Sequence, residues 1–284
     1  MHRDQEKLQD VYNPENINIG FARRVQTNRN SHFSRIATIY EDLRTMDIEP
    51  AIFIRNKLQE YSSLKGADIG CGCGRYTVEL FRFLGDNLYL TCVDENEDML
   101  KQLKINLLGK DLQNFETVRA PANNLQVESN SLDFIVTFNA VHHFDLVGFL
   151  NESARTLKDD RYLFVYTRLR SQNKRNIWGR YFPKFHKKET RLYDLEAFKM
   201  VLEKIKPLKM DSFKYFKYKR RVSTNWLIRR AIHHHYSTFD LYDREEFDDA
   251  LMKFRKYIAN NFSNRNDVFW EDENVMFVIS RNSR

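Results

Sequence analysis

DIGCGCGR, residues 68–75, is the stretch that decides the fold of this 284-residue chain. It follows a short apolar run, Leu64–Ile69, and opens an amphipathic segment, Arg75–Leu84. A glycine at every second position lets the backbone turn sharply and lets a ligand approach the main chain, because no Cβ intervenes. The stretch therefore predicts a ligand-binding turn between a buried strand and a helix.

The residues around this turn narrow the class of ligand. A dinucleotide fingerprint requires Gly-x-Gly-x-x-Gly, but here the third glycine comes one residue early and Arg75 takes its place. Asp68 would repel a phosphate and would suit a ligand that carries an ammonium group. Asp94, at the end of the next apolar run, can accept hydrogen bonds from both hydroxyls of a ribose. An adenosyl group attached to an amino acid fits both carboxylates.

Short apolar runs alternate with helical patterns on both sides of the turn. This alternation predicts an α/β fold with a parallel sheet covered by helices on both faces, which binds ligands at the carboxyl ends of its strands. The predicted strands are Leu64–Ile69, Leu88–Val93, Phe115–Val118, Leu132–Phe138, Tyr162–Tyr166, Phe213–Lys219 and Val275–Ser280. The predicted helices are Ser34–Arg44, Glu49–Tyr61, Arg75–Leu84, Glu97–Leu108, Leu146–Leu157, Asp194–Ile205, Trp226–His233 and Glu245–Ile258.

Five segments resemble, in order, the successive motifs of class I S-adenosylmethionine-dependent methyltransferases. They are Asp68–Gly74, Asp94, Ala122–Leu125, Leu132–Val136 and Asn139–Phe144. Within that class the chain is most similar to the small-molecule branch that includes quinone-biosynthesis methyltransferases, over about residues 33–168. The resemblance implies a Rossmann-like, seven-stranded, mostly parallel sheet whose last strand is antiparallel, with a helical substrate cover.

The resemblance also assigns cofactor contacts to particular positions. It implies that Asp68 and the three glycines surround the methionine part of S-adenosylmethionine, that Asp94 binds the ribose and that Asn139 lies beside the methionine. The complete implied set is Asp68, Gly70, Gly72, Gly74, Asp94, Glu95, Ala122, Asn123, Asn139 and Tyr40, with Tyr40 as a lid residue. Many relatives have an acidic residue before the alanine, whereas this chain has Pro121, so main chain or Asn123 would recognise adenine.

Catalytic and substrate-binding candidates follow the fourth and fifth strands. His143 or His142 would serve as the base if the acceptor is a weakly acidic hydroxyl or carbon, although a histidine at a strand end is more often structural. Arg168 and Arg170 would orient an anionic group, with solvated arginines as the alternative. No metal site is expected, because consecutive histidines at 233–235 point in different directions on a helix.

The charge distribution does not identify the molecule that would receive the methyl group. Residues 1–150 carry 16 Lys/Arg and 21 Asp/Glu, whereas residues 151–284 carry 30 and 18. A basic second half can attract RNA or acidic metabolites, or it can be a solvated surface. With three cysteines, no membrane-length apolar run and no signal-peptide pattern, the expected location is cytoplasmic. The oligomeric state is not indicated.

The expected organisation is an amino-terminal arm, 1–33, followed by a methyltransferase domain, 34–284. Its cofactor-binding core spans about residues 62–168, and its substrate-covering part spans about residues 169–284. The favoured function is methyl transfer to a small, anionic or aromatic metabolite. The alternatives are a transfer RNA methyltransferase of the wobble-uridine type and a cofactor-binding regulator without turnover.

Overall fold

A seven-stranded sheet forms the centre of the protein, in the order β3-β2-β1-β4-β5-β7-β6. The computed structural model describes residues 32–39, 45–264 and 266–283. Most of the predicted arm, 1–33, therefore lies outside the described residues. The predicted lid residue Tyr40 also lies outside them. The strands are β1 Leu64–Ile69, β2 Leu88–Asp94, β3 Phe115–Arg119, β4 Leu132–Phe138, β5 Leu157–Thr167, β6 Leu208–Val222 and β7 Val268–Arg281.

Strand directions confirm the expected fold class. The first five strands pair in parallel, and β7 runs antiparallel to both β5 and β6. The carboxyl ends of β1, β2 and β4 therefore meet at one edge of the sheet, where open α/β sheets bind ligands. Within the described ranges, none of the helices has the length and apolar composition required to cross a bilayer.

Helices cover both faces of the sheet because each buries one apolar side. Residues of α1, α2 and α3 pack on one face, and residues of α4 and α8 pack on the other. The helices are α1 Glu49–Leu58, α2 Arg75–Leu84, α3 Glu97–Leu108, α4 Leu146–Thr156, α5 Arg170–Arg175, α6 Ile177–Tyr181, α7 Phe185–Lys188, α8 Leu195–Leu202, α9 Thr224–Ile232 and α10 Arg244–Asn261.

A third apolar core lies among the helices α6, α7, α9 and α10, which we call the helical cover. Trp178 is at its centre, 5.1 Å from the ring of Phe254 and 5.4 Å from that of Phe239. Helices α5, α6 and α7 were not predicted from the sequence. These helices have four to six residues each, which is too short for a helical period to show.

The last three strands are longer than predicted. β6 and β7 pair along their whole lengths, from Leu208 with Arg281 to Val222 with Val268, whereas β5 pairs only with residues 275–280 of β7. The outer half of this two-stranded ribbon extends past the sheet towards the helical cover. For β7, charged residues precede the apolar run, so only Val275–Ser280, the part paired with β5, was predicted from the sequence. For β6, the predicted strand Phe213–Lys219 runs from the part in the sheet into the outer half of the ribbon.

Candidate active site

The glycine turn between β1 and α2 shapes one wall of the site. Gly70 has a φ of +71° and Gly72 a φ of +55°, which are left-handed values that L side chains rarely adopt. The amide of Gly70 donates to the carbonyl of Val93 at 2.8 Å, so the turn is fixed to the end of β2. A Cβ at Gly70 would come within 2.6 Å of the Ala140 side chain, whereas a Cβ at Gly72 would meet nothing within 4 Å.

Two alanine substitutions should separate the packing role of the turn from its binding role. Gly70→Ala is expected to lower the free energy of unfolding by about 2 kcal/mol through strain and overlap. Gly72→Ala should cost only about 1 kcal/mol in stability but should weaken ligand binding, because its methyl group enters open space at the cavity wall. Chemical denaturation and calorimetry measure the two effects, and a Gly70 variant as stable as the Gly72 variant would contradict this division.

The first cavity lies at the carboxyl ends of β1, β2 and β4 and has a volume of about 800 Å³ that is open to solvent. The turn forms one side of it, and apolar residues form most of the rest. Its lining residues are Phe33, Ile69, Gly70, Gly72, Asp94, Glu95, Asn96, Met99, Ala120, Ala122, Phe138, Asn139, Ala140, His143 and Phe144.

Asp94 connects the two loops that border this cavity. One carboxylate oxygen accepts from the amide of Gly72 at 2.9 Å, and the other accepts from the amide of Asn96 at 2.8 Å. Burial raises the pKa of Asp94 to about 6, against the lowering effect of these two hydrogen bonds. Each oxygen has a second lone pair, so the group can also accept from a ligand hydroxyl.

Asp68 lies behind the turn, is 1% exposed and is not among the residues that line the cavity. Its Oδ2 accepts from the hydroxyl of Thr77 at 2.7 Å. Its Oδ1 is buried and has no hydrogen-bond partner among the described residues. Burial raises the pKa of Asp68 to about 7; the Thr77 hydrogen bond lowers it, and the negative charge of Asp94 adds to the increase.

The remaining predicted cofactor residues divide into two groups. Glu95, Ala122 and Asn139 line the first cavity. Gly74 and Asn123 do not: Gly74 precedes α2, with its Cα facing Leu103, and the Asn123 amide donates to Asp145 at 3.3 Å. Eight further residues line this cavity and were not predicted from the sequence as cofactor contacts: Phe33, Ile69, Asn96, Met99, Ala120, Phe138, Ala140 and Phe144. Asn96 and Met99 could have been found, because they follow the predicted ribose-binding Asp94 at the start of a helix.

A second cavity, of about 900 Å³ including space open to solvent, adjoins the first and lies beneath the helical cover. Phe33, Asn139 and His143 line both cavities and so form the wall between them. The Asn139 side chain accepts from Asn274 at 3.1 Å, and the ring of Phe33 meets that of His143 edge-on, 5.6 Å between centroids. His142 lines the second cavity but not the first.

The two predicted arginines differ in position. Arg168 lines the second cavity, where its Nη2 lies 3.3 Å from Asp272. Arg170 is not among the lining residues, because its guanidinium donates to the main-chain carbonyls of Thr190 and Leu192 at 3.0–3.3 Å. Arg170 therefore holds the segment before α8.

The consecutive histidines 233–235 have separate environments. His234 is paired with Asp240, and the Nδ1 of His235 lies 3.1 Å from the carbonyl of Arg230. Among the residues that the structure describes, no cluster of three potential metal ligands occurs.

Comparison with known proteins agrees with this geometry. A family model described as a methyltransferase domain matches residues 67–160. The demethylmenaquinone methyltransferase of Staphylococcus saprophyticus is 29% identical over 106 residues, which are 37% of this chain and 45% of that protein. The chain thus spans less than half the length of this curated relative.

Solved structures share the fold at lower identity. The YcgJ protein of Bacillus subtilis matches with a TM-score of 0.57 and 14% identity, covering 83% of this chain and 99% of that one. A geranyl diphosphate methyltransferase in complex with S-adenosylmethionine matches with a TM-score of 0.52 and 12% identity, covering 82% of this chain and 85% of that one. These similarities show the fold alone. Residues 67–160 are therefore similar to a methyltransferase domain, and the fold is one that these solved structures share.

Proposed function

We propose that this protein transfers a methyl group from S-adenosylmethionine to a small, anionic or aromatic metabolite. The observation that carries the proposal is the pair of adjoining cavities that share the wall formed by Phe33, Asn139 and His143. A cofactor in the first cavity and an acceptor in the second would meet at this wall. Group transfer requires this kind of arrangement, with two reactants held in contact.

The first cavity fits the cofactor. The open space next to Gly72 accommodates a ligand against the main chain, and Asp94 offers two acceptor oxygens at the end of β2. Ala120, Ala122 and Met99 supply apolar contacts for a flat base. When bound, S-adenosylmethionine supplies a methyl group that its sulfonium charge already activates, so the protein has to position the acceptor and exclude water.

The second cavity would hold the acceptor. Its rings, Tyr76, Tyr166, Phe185 and Tyr236, can stack on an aromatic group, and Arg168 can bind an anion. His143 borders both cavities and His142 is adjacent, with 4.1 Å between the two ring centroids. We assign them the role of proton acceptor for an acceptor hydroxyl or carbon acid.

No specific observation favours the alternatives. The basic excess of residues 151–284, which suggested RNA binding, is partly used in ion pairs within the fold: Arg175 with Glu273, Arg191 with Glu189 and Arg221 with Asp267. Transfer to RNA, or a regulatory role without turnover, therefore remains an outcome of the labelling experiment below.

Asp94→Ala is expected to weaken S-adenosylmethionine binding by about 1–3 kcal/mol, because charge-assisted hydrogen bonds are lost. The substitution also releases the amides of Gly72 and Asn96, which removes the connection between the two loops. Calorimetry measures the affinity. Asp86→Ala, which removes a carboxylate from an exposed turn, serves as the control and should bind normally. Equal affinities in the two variants would contradict the assignment of Asp94.

The proposed activity is tested with radiolabelled cofactor. The protein is incubated separately with a metabolite extract and with total RNA, and the label in each fraction is measured. Label in small molecules supports the proposal, and label in RNA overturns it in favour of the second alternative. Cofactor binding without any labelled product indicates the regulatory alternative.

A further inference from the structure

We propose that Asn173 binds the substrate by donating a hydrogen bond from its side-chain amide to a carbonyl oxygen of that molecule. The inference rests on the proposed function, since it names a chemical group of the substrate that the second cavity would hold. Asn173 belongs to α5 and lines the second cavity. It was not predicted from the sequence as a site residue, because a single asparagine in a short helix forms no recognisable motif.

The side-chain nitrogen of Asn173 is a hydrogen-bond donor that the fold does not use. Nδ2 is buried and has no hydrogen-bond partner among the described residues, and the residue as a whole is 4% exposed. A buried donor without a partner costs about 1–3 kcal/mol, and native proteins satisfy the large majority of such groups. An unsatisfied donor on a residue that lines a cavity is explained if a bound molecule supplies its acceptor.

The other polar groups of Asn173 are engaged within the fold. Its main-chain amide donates to the carbonyl of Leu169 at 2.9 Å. Its main-chain carbonyl is covered by α6, since a Cβ on Gly179 would come within 2.0 Å of that oxygen. Its Oδ1 accepts from Nδ2 of Asn176 at 3.2 Å. In the described structure, Nδ2 is therefore the polar group of Asn173 that remains for a molecule in the second cavity.

Hydrogen bonds between α5 and α6 fix the orientation of this amide. The main-chain amide of Gly179 donates to Oδ1 of Asn176 at 2.7 Å, which leaves Nδ2 of Asn176 to donate to Oδ1 of Asn173. Turning either side-chain amide over would bring two donors or two acceptors together. The donor of Asn173 is thus held in place before a ligand arrives, which reduces the entropy that is lost on binding.

A carbonyl group matches this site better than a hydroxyl group. A carbonyl oxygen needs donors alone, whereas a hydroxyl also needs an acceptor for its own proton. The carboxylates on the wall of the cavity are already bound to arginines. They are Asp47 and Asp272, which accept from Arg220, and Glu189, which accepts from Arg191. These carboxylates are less available to a ligand hydroxyl, which favours a carbonyl group at Asn173.

The test compares two probes that differ in this group alone. Acetophenone has a carbonyl oxygen where α-methylstyrene, which has nearly the same shape, has a methylene group. The full chain with bound S-adenosylhomocysteine is titrated with each probe, and the ratio of the two dissociation constants is determined by nuclear magnetic resonance. Comparing this ratio between protein variants removes the difference in hydrophobicity between the two probes.

Asn173→Asp should change the ratio about tenfold against acetophenone. Aspartate keeps the oxygen that accepts from Asn176 and replaces the donor Nδ2 with a second acceptor. Gln172→Glu is the matched control. Its Nε2 is also buried without a partner among the described residues and its Oε1 accepts from the amide of Leu169 at 2.8 Å, but Gln172 does not line the cavity. An Asn173→Asp variant that changes the ratio no more than this control does would overturn the proposal.

A second measurement uses the wild-type protein and does not depend on how the variants fold. The side-chain amide protons of Asn173 are observed in protein that carries an isotope label in its asparagine residues. Their resonance should move downfield when acetophenone is added and stay in place with α-methylstyrene, because a hydrogen bond to oxygen deshields the donated proton. No binding of acetophenone, or the same shift with both probes, would contradict the proposed contact.

The two proposals fail separately. Binding of S-adenosylhomocysteine is measured first, and its absence would refute the proposed function. The probes are then titrated into the unliganded protein, where the effect of Asn173→Asp on the ratio is still decided. Binding of S-adenosylhomocysteine together with an unchanged ratio in Asn173→Asp would refute this inference alone.

Discussion

Asp68→Asn is expected to raise the free energy of unfolding at pH 8 by about 2–4 kcal/mol. Burial raises the pKa of Asp68 to about 7, so at pH 8 the native state contains a buried carboxylate that burial disfavours. Asparagine has nearly the same shape and can still accept the Thr77 hydroxyl, but it carries no charge. Its amide must find an acceptor, which reduces the expected gain.

The pH dependence of stability gives the sign of this effect. A carboxyl whose pKa is higher in the folded state binds its proton more tightly there than in the unfolded chain. The stabilisation of the folded state by this tighter proton binding is therefore fully present below about pH 4 and is lost as the pH rises to about 7. Asp94, whose pKa is raised to about 6, acts in the same direction over a narrower range.

Denaturation at pH 5 and pH 8 measures this difference for the wild type and for Asp68→Asn. The variant should gain less at the lower pH and most at the higher one. Asp86→Asn, on an exposed turn, removes a carboxylate without a burial penalty and should change neither value much. An Asp68→Asn variant that is less stable than the wild type at pH 8 would show that the buried charge stabilises the fold.

A buried carboxylate that destabilises the fold is expected at a site where its negative charge helps to bind a ligand. Asp68 lies two residues before Gly70, and Asp94 binds the amide of Gly72 on the other side of the turn, so the two negative charges act on any cation in the first cavity. Asp68→Asn should therefore weaken S-adenosylmethionine binding while it stabilises the protein. Strain or charge that is retained at the expense of stability is typical of functional sites.

The sequence predicted the sheet and the glycine turn because their signals are local. Each of β1, β2 and β4 is a short apolar run, and α2 and α3 begin and end at the predicted residues. The turn has a pattern of its own, because only glycine readily adopts the positive φ angles found at Gly70 and Gly72. Local signals of this kind are readable without knowledge of the fold.

The second cavity could not be predicted in the same way, because its residues come from distant parts of the chain. Asp47 and Arg220, which form two hydrogen bonds, are 173 residues apart in sequence. The sequence does not distinguish Arg230 from other basic residues of an amphipathic helix. Only the structure shows that its guanidinium stacks on the ring of Trp226. Arg170 was predicted to contact substrate from its position after β5, and in the structure its side chain binds the main-chain carbonyls of Thr190 and Leu192.

Asp272→Ala is expected to lower the free energy of unfolding by about 3–5 kcal/mol, because it leaves buried positive charge without its partner. Asp272 lies between Arg168 and Arg220, at 3.3 and 3.2 Å, and the side chains of all three are at most 15% exposed. Arg220 would keep Asp47, but Arg168 would lose the one carboxylate that pairs with it among the described residues. Chemical denaturation of the full chain at pH 7 measures the loss.

Glu271→Ala is the matched control, since Glu271 lies one residue away on β7 and pairs with Lys217 at 3.2 Å on an exposed surface. Exposed ion pairs of this kind contribute at most about 1 kcal/mol, so the control should remain nearly as stable as the wild type. Arg168→Met added to Asp272→Ala should recover part of the lost stability, because the unpaired charge is then removed. If the double variant were no more stable than Asp272→Ala alone, the cost would lie in packing of the β6–β7 ribbon, and the unpaired guanidinium would not be its cause.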